Sequence, residues 1–104
     1  MKMNLSNLMN STLLLDLETT RSGKIRQVGA VLNGHIFERT EKAGSKAVIE
    51  QLDKLSQKAH IVLGHNLLGQ DFPILRAATP RLEILKKPVI DTLNLSPLAF
   101  PQKQ

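Results

Sequence analysis

At 104 residues the chain holds one domain at most, and 41% apolar with 22% charged residues is a globular composition rather than a disordered one. Three Phe, with no Trp or Tyr, leave an aliphatic core and few platforms for stacking bases; the lack of Cys excludes disulfides, thiolate metal sites and a Cys nucleophile. A net charge of +5 favours polyanionic partners, nucleic acid first.

Residues 1–11, largely the polar stretch MKMNLSNLMNS, read as a flexible N-terminus without the apolar region of a signal peptide. No apolar run approaches a membrane span, so a cytoplasmic chain with no membrane partner is expected. Thr12 to Leu17, TLLLDL, reads as a continuous apolar strand buried on both faces. After the turn TTRSGK, Ile25 to Leu32 alternates as a half-buried strand, and Asn33-Gly34 is a hairpin signal because both residues accept positive φ. His35 to Glu41 returns antiparallel, with Ile36 and Phe37 as its apolar content.

Ser45 to Ala59 spaces Val48, Ile49, Leu52 and Leu55 as one face of an amphipathic helix, with Ser45 as its cap. His60 to Asn66 reads as a buried strand and LGQDFPILRAA as a helix, Pro73 being tolerated in its first turn. Pro88 to Leu93 is a last short strand; after it Pro97 and Pro101 prevent a long helix. The order β-β-β-α-β-α-β predicts an α/β fold with a mixed five-stranded sheet and the first strand near its middle. Ligands of such sheets sit beyond the carboxyl ends of the parallel strands, where Asp16 and Glu18 fall.

Asp16 and Glu18 stand at i and i+2 on a strand, hence on one face, where like charges repel and burial is costly. Asp71, at the start of the second helix, can reach the same rim if the first and fourth strands are neighbours. Clustered carboxylates with oxygen-only chemistry suit Mg²⁺ or Mn²⁺, whose charge removes the repulsion. The bland readings are a solvated strand end for Asp16 and Glu18 and a helix-start charge for Asp71.

The segment DLETT at Asp16–Thr20 resembles the first motif of the DEDD (DnaQ-like) 3′–5′ exonucleases of the ribonuclease H-like superfamily, and HNLLGQD at His65–Asp71 resembles their second. IRQVGAVL also looks like that family's second strand, and the likeness runs from about Leu13 to Leu98. It implies a ribonuclease H-like fold and two-metal hydrolysis of the terminal phosphodiester of DNA or RNA. Asp16, Glu18 and Asp71 would be the catalytic metal ligands. Thr19, Thr20, His65 and Asn66 would contact a single-stranded 3′ end. Gln70 stands where many members carry Phe. The family's third motif, a His or Tyr base with a fourth Asp on a final helix, is not found before Gln104, so residues 12–104 read as a partial domain truncated before that helix. Such a domain is expected to self-associate or to need a missing C-terminal segment or partner.

Asp91 is the only late aspartate and reads as a structural cap rather than a replacement ligand. His65 reads as packed or substrate-adjacent, and His35 and His60 as inert. Arg21, Lys24 and Arg26 flank the acidic rim, either as a hold for backbone phosphates or as a solvated turn. Two other functions compete with an exonuclease: a non-catalytic nucleic-acid or protein-binding module retaining a relic acidic site, and a structural α/β domain with an incidental acidic pair.

Overall fold

A computed structural model describes residues 9–93 of the chain. The expectations for residues 1–8, for Pro97 and Pro101, and for a chain cut before a final helix lie outside them.

Five strands, β1 (Thr12–Thr19), β2 (Ile25–Leu32), β3 (His35–Arg39), β4 (Ile61–Gly64) and β5 (Val89–Asp91), form one mixed sheet in the order β3-β2-β1-β4-β5. The β1–β2 and β2–β3 pairs are antiparallel, whereas β4 runs parallel to both β1 and β5. The β2–β3 hairpin turns at Asn33-Gly34, both at positive φ (51° and 80°), as the dipeptide foretells. Helix α1 (Lys46–Ser56) makes the crossover from β3 to β4; the Ser45 hydroxyl accepts the Val48 N–H at 3.3 Å and caps it.

The stretch after β4 departs from a simple helix. Leu67–Asp71 forms a π-helical turn, and α2 (Phe72–Ala78) begins only after it, with Pro73 in its first turn where no N–H is needed. A short 3₁₀ turn, Glu83–Lys86, precedes β5; Asp53 of α1 holds it by accepting the Ile84 N–H at 2.8 Å.

The core lies on one side of the sheet. Leu13, Leu15 and Leu17 of β1 and Val28, Ala30 and Leu32 of β2 meet Ile49 and Leu52 of α1, Leu75 of α2 and Ile84 of the 3₁₀ turn. Each fully buried aliphatic side chain contributes about 1.5–3 kcal/mol relative to an exposed one. Here the sequence expectation for β1 needs correction. The strand is not buried on both faces: Leu14, Asp16 and Glu18 are exposed while Leu13, Leu15 and Leu17 are buried. The reason is that both helices and the 3₁₀ turn stack on the same face. On the opposite face one apolar residue from each strand falls in register, Ile36, Val31, Leu14, Leu63 and Ile90, with Ile36 70% and Leu14 44% exposed. Of the apolar pair expected in β3, only Phe37 enters the core. No helix among the described residues is long and apolar enough to cross a membrane.

Candidate functional site

The parallel pairing of β1 and β4 runs only from Thr12↔Ile61 to Leu14↔Leu63. At Gly64 the chains approach so closely that a Cβ would lie 2.6 Å from the Leu15 carbonyl and 2.7 Å from Leu67 Cδ2. Beyond that contact β4 ends and leaves the edge of β1 unpaired from Leu15 onward. Asn66, in a left-handed conformation (φ 59°), starts the π-helical turn. The carboxylate of Asp91, at the end of β5, accepts the N–H groups of Asn66 at 2.7 Å and Leu68 at 3.0 Å, and that of Leu93 at 3.0 Å. Burial pushes the Asp91 carboxyl up, but those three donors and nearby His65 outweigh it and hold the group below its ordinary value. Asp91 is therefore a cap that pins the turn to the sheet.

The turn delivers Asp71 into the gap left by β4. Its Oδ2 accepts the Leu17 N–H at 3.1 Å, satisfying the donor that β4 no longer reaches, and the residue is only 4% exposed. Burial raises its pKa from 3.8 to about 6, the Leu17 N–H opposes the rise, and the charges of Asp16 and then Asp91 add to it. Asp16 and Glu18 stand on the open face two residues apart, as their spacing requires. The tertiary fold thus brings Asp71 to β1 and within electrostatic reach of Asp16. It does not gather all three into one ligand set: among the described residues, no three His, Asp or Glu side chains stand together closely enough to hold a metal ion. Asp16 and Asp71, within electrostatic reach of each other, have the oxygen-only chemistry of a hard-cation site, which for Mg²⁺ typically takes one or two carboxylates completed by water and substrate phosphates.

The residues expected to touch a substrate strand have local roles as well. The Thr20 hydroxyl accepts the Lys24 N–H at 3.1 Å and lies 2.8 Å from the Ser22 hydroxyl, tying the β1–β2 turn. Thr19 Oγ1 accepts from Gln70 Nε2 at 3.4 Å, so the amide at that position bridges the turn and β1. His65 is exposed; its Nδ1 lies 3.1 Å from Thr92 Oγ1, and that hydroxyl donates to the Gly64 carbonyl. Asn66 serves through its backbone, its side chain making no capping bond to the turn.

Two determinants escaped the sequence. The close approach at Gly64 depends on strand order, and the bulge where Thr19 pairs with Ile25 has no residue signature. Asp91 was legible as a cap, but the N–H groups of Asn66 and Leu68 that it holds were not. No protein-family model matches the chain, and no curated protein matches it.

Proposed function

We propose that this chain is a ribonuclease H-like domain of the DEDD exonuclease type, engaging the 3′ end of a nucleic-acid strand at the rim formed by Asp16, Glu18 and Asp71 together with Mg²⁺ or Mn²⁺. The observation that carries the reading is Asp71. A carboxylate is buried against a strand beside a second carboxylate, and its protonation midpoint lies near 6. Such an arrangement is unfavourable for a structural acid and favourable for a cation site. The sheet order, with β1 central and the acidic pair at its carboxyl end, supports it too.

In this reading Leu17 N–H orients one Asp71 oxygen, leaving the other for a ligand. Asp16 shares the charge, Glu18 extends the rim one step along the same face, and His65 lines the same open-face hollow as Asp16. A divalent ion bound there supplies charge neutralisation for the phosphate and a water of lowered pKa.

The test is release of nucleotides from a 3′-labelled single strand with Mg²⁺ or Mn²⁺, run beside melting-temperature titrations with Mn²⁺. Slow release and an upward melting shift, both lost in Glu18→Ala and Asp71→Asn, are expected. Release that survives both substitutions overturns the site assignment, and no shift with metal overturns the cation. One observation favours a second reading, a non-catalytic nucleic-acid module. The described residues lack a closed three-ligand group, and without a positioned base a reaction of this kind forfeits about 10²–10⁴-fold. A metal-dependent shift with no release selects it.

A further inference from the structure

A cleft lies between the β1–β2 turn, the loop from β3 into α1, and α2. Its volume is about 930 Å³, within the range of ligand sites, and Ile74 and Ala77 are among its apolar lining residues. Three cationic residues line it, Lys24, Arg26 and Lys42, and no acidic residue does. All three are exposed, and none is in an ion pair among the described residues.

A β-bulge puts Arg26 there. Val28, Ala30 and Leu32 face the core, so regular alternation would turn Ile25 to the open face. Instead Glu18 pairs with Gln27 and Thr19 with Ile25, leaving Arg26 as the extra, unpaired residue. Ile25 is thereby returned to the core side, and it and Arg26 both border the cleft. The bulge sits one residue beyond Glu18, and Thr20 lines the cleft, so the cationic cleft begins where the acidic rim ends.

We infer that this cleft binds the phosphodiester backbone of a single nucleic-acid strand, with Arg26, Lys24 and Lys42 as its phosphate contacts. Three cations outside any ion pair and no lining carboxylate fit a chain of regularly spaced anions. Adjacency to the 3′-end rim favours a nucleic acid over a phosphorylated protein. The inference rests on the proposed substrate class, but not on catalysis or on metal.

The experiment is fluorescence anisotropy of a labelled oligothymidylate in EDTA, titrated at several salt concentrations. Each phosphate contact on a single strand contributes about 0.7 to the slope of log affinity against log salt, so Lys24→Ala/Arg26→Ala/Lys42→Ala should lower that slope by about 2 and weaken low-salt binding at least tenfold. The variant Lys54→Ala/Lys58→Ala/Lys86→Ala, with the same loss of charge elsewhere, should keep the slope, as should Arg26→Lys. Because EDTA leaves the acidic rim without metal, the salt slope reads the cleft alone, and its failure is distinct from failure of the rim. Equal losses in the two triple variants, an unchanged slope in the cleft variant, or no binding by the natural chain overturns the inference. Displacement by a phosphopeptide at matched phosphate concentration overturns the choice of a nucleic acid.

Discussion

Replacing Asp71 by Asn tests whether the rim carries a buried charge. The amide oxygen retains the acceptor for the Leu17 N–H, so the substitution removes charge while keeping the hydrogen bond. The folded-state pKa is raised from 3.8 to about 6, so the folded chain holds this proton more tightly than the unfolded one. The resulting stability is fully present below 3.8, is lost as pH rises from there to about 6, and stays lost above. A rise of that size corresponds to roughly 3 kcal/mol for a sealed site, and to about 1–3 kcal/mol for a rim bordered by exposed residues. In the absence of metal, Asp71→Asn should therefore be more stable than the natural chain by that amount at about pH 8. At ~4–8 °C per kcal/mol the gain is roughly 5–20 °C in melting temperature. Below pH 3.8 the two curves should converge. Circular-dichroism melts in EDTA across this range, plotted as the difference between the chains, give the answer. A variant less stable at high pH, or a difference that does not change with pH, would refute the argument that Asp71 is an uncompensated buried acid.

Asp91→Ala should cost about 2–4 kcal/mol in urea unfolding, because it strands the N–H groups of Asn66 and Leu68, and the contribution of Asp91 in the natural chain should fade only below 3.8, as its lowered pKa requires. Gly64→Ala should destabilise by roughly 1–3 kcal/mol, since its Cβ would press on the Leu15 carbonyl at 2.6 Å and the backbone there has little room to yield; a neutral result would mean that β1 and β4 separate freely. Leu13→Ala should cost ~2–5 kcal/mol and Leu14→Ala no more than about 1 kcal/mol, although the two are neighbours in one leucine run; equal losses would mean that both faces of β1 are covered in solution.

Much of the fold is determined by the sequence locally. The alternation from Ile25, the Asn33-Gly34 turn, the Ser45 cap with its amphipathic spacing, and the position of Pro73 each act within a few residues, so each is legible without the rest of the chain. The order of elements then requires a crossover at α1 and puts β1 in the middle of the sheet. What the sequence leaves undecided is which side of that sheet is covered. Leu13, Leu14 and Leu15 are chemically identical, and only the stacking of both helices on one face assigns two of them to the core and one to the open side. The candidate site divides in the same way. Asp16 and Glu18 share a face by strand geometry alone. The contact between Asp71 and Leu17 arises because β4 ends early, Gly64 admits a close approach, and the turn held by Asp91 swings the carboxylate into the vacated edge. Arg26 enters its cleft through a one-residue slip in pairing. The Asp71 and Asp91 contacts join residues tens of positions apart, the bulge a slip within one hairpin, and all are fixed by packing and hydrogen-bond satisfaction rather than by a local pattern.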